Sequence, residues 1–230
     1  SVYDQTYENI EIIVVDNAST DGTVDALRSA YPSVEIIVQS RNVGAAAGRN
    51  PGISTARGDI VFLLDSDASL DVDTLGNIVS KFQVTPEEGA ITCKILNATT
   101  QEIDPTTWIF SEEDKKNQDE EFFSFSLCEC GTAFREEVFE KTGPFWELMF
   151  FGREGEELAL RVLKAGYQIL YYPDGVVYHR ASPAKRVRGG NWEYYNLRNS
   201  LYIYFAHYPW WVLVGMLPLK LGTSFLRGLR

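Results

Sequence analysis

The sequence predicts an α/β protein in which a mostly parallel sheet is flanked by helices. Three short apolar runs rich in β-branched residues, at 10–16, 34–38 and 59–64, alternate with two segments of helical pattern. An order of strand, helix, strand, helix and strand is typical of a parallel α/β sheet. The composition agrees, because 230 residues of which 45% are hydrophobic can bury a full core. Disordered, collagenous and coiled-coil chains are excluded.

Each further element follows from its local pattern. A helix is predicted over 23–30, because Pro32 ends it, and 41–58 is rich enough in Gly, Ala and Asn to give a loop and then a closely packed helix. The rest of the chain predicts helices over 70–82 and 155–165, strands over 90–95, 122–134, 167–172 and 176–179, and a polar surface loop or flap over 97–121.

The charge is unevenly distributed along the chain. The net charge of −11 argues against nucleic-acid binding, which needs a basic face to displace phosphate counterions. Residues 180–230 contain eight basic residues and one acidic residue, a net charge of +7, which leaves −18 on residues 1–179. We therefore expect an acidic catalytic domain over 1–190 and a basic, aromatic tail over 191–230 with a partner of its own.

The tail contains nineteen consecutive residues without formal charge, 201–219. That length suits a membrane span, but Pro209 and Pro218, together with Trp210 and Trp211, favour a helix that lies at a membrane surface. A soluble core segment or a protein-partner surface is the remaining alternative. The preferred interpretation predicts a membrane surface as a partner.

The chain has three cysteines, Cys93, Cys128 and Cys130. Their odd number and their spacing do not match a disulfide framework or a common zinc site. We expect reduced thiols in a reducing compartment. Combined with the basic tail, this predicts a cytoplasmic protein bound peripherally to the inner face of the plasma membrane.

Asp65 and Asp67 carry the strongest chemical signal. Two carboxylates two residues apart at the end of a buried strand offer hard oxygen ligands, which suit Mg²⁺ or Mn²⁺ with water and phosphate oxygens at the other positions. Asp16 ends another strand, and ligands of open α/β sheets bind outside the carboxyl ends of strands. The Asp-x-Asp spacing alone is common, so a strand-end Asx turn is the alternative.

The order of the motifs is more informative than any one of them. DNASTDGT begins at Asp16, RNVGAAAGRNPGI at Arg41, GDIVFLLDSD at Gly58 and GTAFREEVFEKTGPF at Gly131. This series resembles the family-2 glycosyltransferases, including their rhamnosyltransferase-like members. The resemblance implies a Rossmann-like GT-A fold and a bacterial, metal-dependent enzyme. Such an enzyme would transfer a sugar with inversion from a UDP- or dTDP-sugar to the glycan or lipid-linked acceptor of a cell-surface polysaccharide or glycolipid.

The same resemblance assigns the site residues. Asp16 would contact the base, unless it only caps its own turn. Asp67 would ligate the metal that bridges the diphosphate, and His179, at a strand end, would be a second ligand. The other donor contacts would be Arg41 and Asn42 in the nucleotide pocket, Asp65 at the ribose and Gly131 beside the donor sugar.

The general base has two candidates. The family carries a Glu-Asp pair at the start of a helix, and its second acid is usually the base. Here Glu154 matches the first acid, but Gly155 stands in place of the second. Glu154 and Glu156 are therefore the candidates, whereas Glu157 is spaced to pair with Arg161 in the same helix.

Two other interpretations stay open. Members of the family begin with a strand that precedes the helix in which this sequence starts, so we expect an N-terminal truncation that removes the first strand. A truncated inactive fragment, or a non-catalytic nucleotide-sugar-binding module, is the first alternative, and Gly155 supports it. A nucleotidyltransferase of similar sheet architecture is the second.

Overall fold

The computed structural model describes residues 1–180 and 190–228, with the backbone alone for 190 and 224–228. The chain starts with a 3-10 helix, Val2–Asp4. Strands β1 (Ile13–Asp16) and β2 (Glu35–Val38) then pair in parallel as a two-stranded sheet, connected by helix α1 (Thr23–Ala30). The predicted helix bounds are confirmed, and the two strands begin three residues and one residue later than predicted.

A six-stranded sheet forms the centre of the molecule. Five of its strands lie in the order β3-β7-β5-β8-β4, and β6 pairs with β8 beside this path. The strands are β3 (Ile60–Leu64), β4 (Ala68–Leu70), β5 (Glu88–Asn97), β6 (Phe122–Phe123), β7 (Gly131–Arg135) and β8 (Gln168–His179).

The strand directions are more mixed than predicted. β1 with β2 and β5 with β8 run parallel, whereas β7 is antiparallel to β3 and β5, and both β4 and β6 are antiparallel to β8. The α/β class is confirmed, but the sheet is not mostly parallel. Parallel neighbours need a long crossover, usually a helix. After β3 the chain passes through the short turn 65–67 and, later, through 98–130, which contains a helix of only five residues.

Seven more α-helices and a second 3-10 helix, Glu147–Met149, complete the described part of the chain. The predicted helix over 70–82 starts later, because 68–70 forms β4, and the two predicted C-terminal strands are the single strand β8, with an irregularity in its pairing opposite Cys93 and Lys94. The helices are α2 (Gly44–Thr55), α3 (Thr74–Val84), α4 (Glu112–Lys116), α5 (Glu136–Thr142), α6 (Glu154–Lys164), α7 (Gly190–His207) and α8 (Trp210–Gly228).

The predicted flap over 97–121 is partly anchored in the protein. Ile103 and Asp104 are buried, and Ile103 forms a bridge to Leu96 of β5. Farther along, Ser111 and Asp114 form a reciprocal capping box at the start of α4, which satisfies the first backbone N–H groups of that short helix. The segment is therefore a surface loop that is anchored to the protein at Ile103 and Asp104.

The core lies on both faces of the central sheet. Successive residues of a strand point to opposite faces. Accordingly Phe134 and Ile169 belong to one buried cluster, whereas their neighbours Ala133 and Leu170 belong to another. The first cluster includes residues of α2, α5, α6 and α7, and the second includes Ile78 and Phe82 of α3. Two helical layers therefore hold the carboxyl ends of the strands in place.

Helix α7 packs against the core of the preceding part of the chain, whereas the described side chains of α8 are largely exposed. Ile203 lies in the first core cluster, and the buried Asn199 side chain donates hydrogen bonds to the carbonyl oxygens of Met149, Phe151 and Gly152. None of the helices over 1–180 and 190–228 combines the length and hydropathy that a transmembrane span needs. The division at residue 190 stays a prediction. The basic residues at 185, 186 and 188 lie outside the described residues.

Candidate active site

Asp16 closes β1 at the carboxyl edge of the small sheet. Its side chain is 4% exposed, and Oδ2 accepts a hydrogen bond from the backbone N–H of Ser19 at 3.0 Å. The turn-capping role is therefore confirmed. A single hydrogen bond leaves acceptor capacity on the carboxylate, so contact with a base stays a prediction.

The loops that follow β1 and β2 are tied to one another. Asn17 Nδ2 donates to Asn42 Oδ1 at 3.2 Å and to the carbonyl oxygen of Gly44 at 3.0 Å. Asn42 Oδ1 also accepts from the backbone N–H of Gly44, at 2.9 Å. Arg41 lies exposed in the same loop. Asn42 thus has a structural role at this edge, and the nucleotide contacts of Arg41 and Asn42 stay predictions.

Asp67, His179 and Asp104 are brought together by the pairing of β4 with β8. Because Ala68 pairs with His179, Asp67 Oδ1 lies 3.5 Å from His179 Nε2. On its other side His179 Nδ1 lies 2.6 Å from Oδ2 of the buried Asp104. Burial alone would raise the pKa of Asp104, but the hydrogen bonds with His179 and Thr106 hold it below its usual value.

This donor set fits a divalent cation. A carboxylate behind Nδ1 is the usual partner of a metal-ligating histidine, because it fixes the ring and directs Nε2 outward. In the described part of the chain no group of three or more His, Cys, Asp or Glu side chains could hold a metal. Asp67 and His179 would therefore need water or phosphate oxygens to complete a coordination shell.

A second group of charged side chains, here called the Arg49 cluster, consists of Arg49, Asp65, Glu129 and Glu154. Arg49 Nη2 donates to Asp65 Oδ1 at 2.8 Å, and Nη1 lies 3.6 Å from Glu154 Oε1. Burial alone would lower the pKa of Arg49, but the charges of the three carboxylates raise it. One guanidinium among three carboxylates leaves the cluster with an excess of acid.

The Arg49 cluster is incompletely hydrogen-bonded. Arg49 Nη1 and Glu154 Oε2 are buried, and neither has a hydrogen-bond partner among the described residues. Burial raises the pKa of Glu154, and the charge of Asp65 acts in the same direction, while Arg49 opposes them. Buried polar atoms without partners are rare and are found mainly where a ligand or a reaction supplies the missing contact.

Glu129 meets the start of α6. It lies in the turn Cys128–Gly131 before β7; the residue is partly exposed, and its carboxylate rests on Gly155. A Cβ at Gly155 would come within 2.6 Å of Glu129 Oε1. Burial and the charge of Glu154 raise the pKa of Glu129 to about 7, although Arg49 lowers it.

The other predicted site residues are placed as follows. Glu156 pairs with Arg153, 2.7 Å away, and makes no contact with the Arg49 cluster in the interactions described. Glu157 is buried and ion-paired with Arg161, as predicted. Gly131 is buried, and a Cβ there would lie 2.7 Å from the side chain of Val177. This is a packing reason for the glycine, and its contact with a donor sugar stays a prediction.

A profile described as Glycosyl transferase family 2 matches residues 1–143. The chain belongs to this family. Glycosyltransferase AglE of Haloferax volcanii is 31% identical over 237 residues, which cover 95% of this chain and 75% of AglE. An N-acetylglucosaminyltransferase of Rhizobium meliloti (strain 1021) is 28% identical over 196 residues, 77% of this chain, and the match spans 45% of that relative's length.

Solved structures confirm the GT-A glycosyltransferase fold. Mannosyltransferase PcManGT from Pyrobaculum calidifontis, in complex with GDP-Man and Mn²⁺, matches with a TM-score of 0.64 and 25% identity, over 89% of this chain and 57% of that one. GalNAc-T7 with UDP, GalNAc and Mn²⁺ matches with a TM-score of 0.65 and 17% identity, over 84% of this chain and 41% of that one. At such low identity the second likeness shows the fold alone.

Sequence reasoning missed three charged residues of this family-2 site. Arg49 stands within the RNVGAAAGRNPGI motif, and an arginine in a helix of small, buried residues is a signal that was available. Glu129 stands between two cysteines in an otherwise apolar stretch, which is a weaker signal. Asp104 lies in a polar segment with nothing local to mark it. Its contact with His179 spans 75 residues and depends on the fold.

Proposed function

We propose that this chain transfers a sugar from a nucleoside-diphosphate sugar to a glycan or lipid-linked acceptor, with inversion, and that it uses Mn²⁺ or Mg²⁺. The donor is a UDP- or dTDP-sugar, and the product is a cell-surface polysaccharide or glycolipid. Membership of glycosyl transferase family 2 supports the reaction class. The observation that carries the proposal is the approach of Asp67 to His179, with Asp104 behind the histidine.

The chemistry of the leaving group explains why these residues would be needed. A diphosphate leaves with negative charge developing on its oxygens, and a bound divalent cation neutralises that charge. Asp67 and His179 would hold the cation, and Asp104 would keep the imidazole of His179 in orientation. Asp16, which ends β1, and Asp65, which follows β3, would bind the base and the ribose.

Calorimetry tests the donor site. We expect UDP, or dTDP, to bind the full chain in the presence of Mn²⁺ and to lose that binding when the metal is chelated. GDP is the comparison ligand, because it shares the diphosphate and differs in the base. Asp67→Ala should abolish the metal-dependent part of the affinity, since it removes one of the two protein ligands.

Asp174→Ala is the matched control for this experiment. Asp174 is exposed in β8, at the bulge opposite β5, and lies outside the groups described above. Its substitution should leave nucleotide affinity unchanged. Equal UDP affinity with and without metal, or unchanged affinity in Asp67→Ala, would contradict the proposal.

The C-terminal helix supports a peripheral place on the membrane, which we propose to be the cytoplasmic face of the plasma membrane. Four large apolar side chains of α8 are between 65% and 72% exposed: Trp210, Trp211, Val214 and Leu219. Exposed tryptophans beside basic residues suit the interface of an anionic bilayer. All three cysteines are free and buried, which is consistent with a reducing compartment.

Flotation with vesicles of phosphatidylglycerol and phosphatidylcholine tests the membrane proposal. Deleting 191–230 would also remove Ile203 from the core, so substitution is the cleaner change. The double variant Trp210→Ser, Trp211→Ser should remain in the soluble fraction while the unmodified chain floats. Tyr31→Ser, which removes an exposed aromatic ring from the catalytic body, is the control. Equal flotation of both forms would contradict a role for α8.

A further inference from the structure

Gly155, at the start of α6, has no side chain of its own, but the carboxylate of Glu129 lies beside it. Glu129 reaches it from the turn before β7, so that both of its carboxylate oxygens fall within 2.9 Å of the position of a Cβ on Gly155. A side chain at Gly155 would displace the Glu129 carboxylate, the flexible end of its side chain, from this place. The glycine is therefore a condition for Glu129 to occupy the site.

We propose that Glu129 is the general base of the transfer reaction, with its carboxylate in the space that Gly155 leaves open. This inference rests on the glycosyltransfer proposed above. Glu129 would take the proton of the acceptor hydroxyl while the hydroxyl oxygen forms a bond to the anomeric carbon of the donor sugar. The bond from that carbon to the diphosphate oxygen breaks, and its electron pair leaves with the diphosphate.

Glu129 is better placed than the two acids that the sequence indicated. Glu154 is 6% exposed, so its carboxylate cannot easily meet an incoming hydroxyl, and Glu156 is engaged with Arg153. Glu129 is partly exposed as a residue, and its carboxylate lies against Gly155, where no side chain competes for the space. Glu154 is a positioning residue in this arrangement, because its charge acts on Arg49, 3.6 Å away, and on Glu129.

The turn that carries Glu129 is fixed at both ends. The backbone N–H of Gly131 donates to the carbonyl oxygen of Cys128 at 3.1 Å, and Thr132 Oγ1 donates to the same oxygen at 2.6 Å. Cys128 and Cys130, on either side, are buried. A base must stay within hydrogen-bond reach of the proton that it takes, and an anchored turn meets that requirement.

The surrounding charges suit the same role. Glu129 faces Arg49 from α2, Asp65 from the end of β3 and Glu154 from α6. Burial and the two acids bring the pKa of Glu129 to about 7, against the lowering effect of Arg49. A base is most effective when its pKa lies near the working pH, since it is then both available and strong enough.

The first test is Glu129→Gln in the full chain, assayed for metal-dependent UDP release from UDP-N-acetylglucosamine. We choose this donor because the rhizobial relative is named an N-acetylglucosaminyltransferase. The rate should fall by about 10²–10⁴-fold, while the affinity for UDP with Mn²⁺ stays the same. Glu140→Gln, an exposed glutamate of α5, is the matched control and should keep the full rate. An unchanged rate in Glu129→Gln, or a loss explained by weaker UDP binding, would overturn the inference.

The second test moves the carboxylate to the helix. Glu129→Ala removes the side chain that blocks Gly155, so the double variant Glu129→Ala, Gly155→Asp has room for an acid at the same place. Its rate should be at least tenfold higher than that of Glu129→Ala, whereas the rate of Glu129→Ala, Gly155→Asn should not rise. Equal recovery with Asn would overturn a role for the carboxylate as a base.

The pH profile decides the case in which the variants do not fold. For the unmodified chain we expect kcat/KM to fall on the acid side with a midpoint near 7. A rate that is constant from pH 5 to pH 8 would overturn the inference. If the unmodified chain neither binds UDP with metal nor releases it, the proposed function fails and this inference with it. If the unmodified chain is active and Glu129→Gln equally so, only the inference fails.

Discussion

Helix α6 carries two buried glutamates in its first turn, and they differ in how completely they are hydrogen-bonded. Glu157 is fully buried and accepts three hydrogen bonds of 2.6 to 3.0 Å from Arg161 and one from His207 at 2.9 Å if the imidazole is protonated on Nε2. Glu154 is 6% exposed, and its nearest charged partner, Arg49, lies 3.6 Å away. One oxygen of Glu154 has no hydrogen-bond partner among the described residues.

We infer that the difference separates an acid that stabilises the fold from an acid that belongs to the proposed site. Arg161 also donates to the carbonyl oxygens of Thr142, Gly143 and Pro144, so the Glu157 pair ties α6 to the end of α5. The Arg49 cluster has unused hydrogen-bonding capacity at a sheet edge where ligands of this fold bind. Satisfied buried charges fix one conformation, whereas unsatisfied ones are tolerated where a ligand completes them.

The same substitution at both glutamates tests whether their contributions to stability differ. Glu157→Gln should lower the free energy of unfolding by about 3 kcal/mol, because it leaves the Arg161 charge buried without its counter-ion. Glu154→Gln should change it by less than about 1 kcal/mol, since the lost charge was poorly paired. Urea unfolding of the two variants beside the unmodified chain gives both numbers.

The two variants serve as controls for each other, because they differ only by one turn of the same helix. Equal destabilisation would show that both acids stabilise the fold in the same way. A larger loss in Glu154→Gln than in Glu157→Gln would reverse the comparison.

His179 is intermediate between the two glutamates. Its Nδ1 lies 2.6 Å from Asp104 Oδ2, whereas its Nε2 comes no closer than 3.5 Å to Asp67 Oδ1. Asp104→Asn should keep the shape of the side chain and remove the charge of Asp104, so the imidazole of His179 is held less firmly in its orientation. Loss of such a second partner typically lowers metal affinity by about 10–100-fold. Titration of Mn²⁺ in the presence of UDP measures the effect, with circular dichroism to confirm folding.

Asp114→Asn is the matched control for Asp104→Asn, because Asp114 caps α4 in the same surface loop and has no contact with His179 in the interactions described. It should leave Mn²⁺ affinity unchanged. If Asp104→Asn binds Mn²⁺ as tightly as the unmodified chain, Asp104 only fills space behind the histidine.

The N-terminal half of the fold could be predicted because its signals are local. β1, β2 and β3 each have an apolar run, Pro32 follows α1, and α2 lies in a segment rich in Gly and Ala; the boundaries agree within a few residues. Beyond β3 the strand order depends on partners far apart in sequence. β4 has only three residues and exists because it pairs with β8, about a hundred residues later.

The site divides in the same way. Asp16, Asp65 and Asp67 could be located because they end predicted strands, and the pairing of Glu157 with Arg161 follows from helical spacing. The Arg49 cluster joins α2, β3, the turn before β7 and α6, and no local pattern encodes that meeting. Gly155 looked like a missing acid in the sequence, whereas in the fold it is the surface on which Glu129 lies.

The smallest expected effect is a stability change that depends on pH. The pKa of Glu129 is raised in the fold from 4.5 to about 7, so its contribution to stability is present at low pH and is lost as the pH rises through 7. Glu129→Gln removes this loss. At pH 8 the variant should melt at a higher temperature than the unmodified chain, and at pH 4.5 the two should melt close together. Glu140→Gln, on the exposed side of α5, should follow the unmodified chain at both pH values. A Glu129→Gln variant that is less stable at pH 8 would place Glu129 with Glu157 among the structural acids, because its charge would then stabilise the fold.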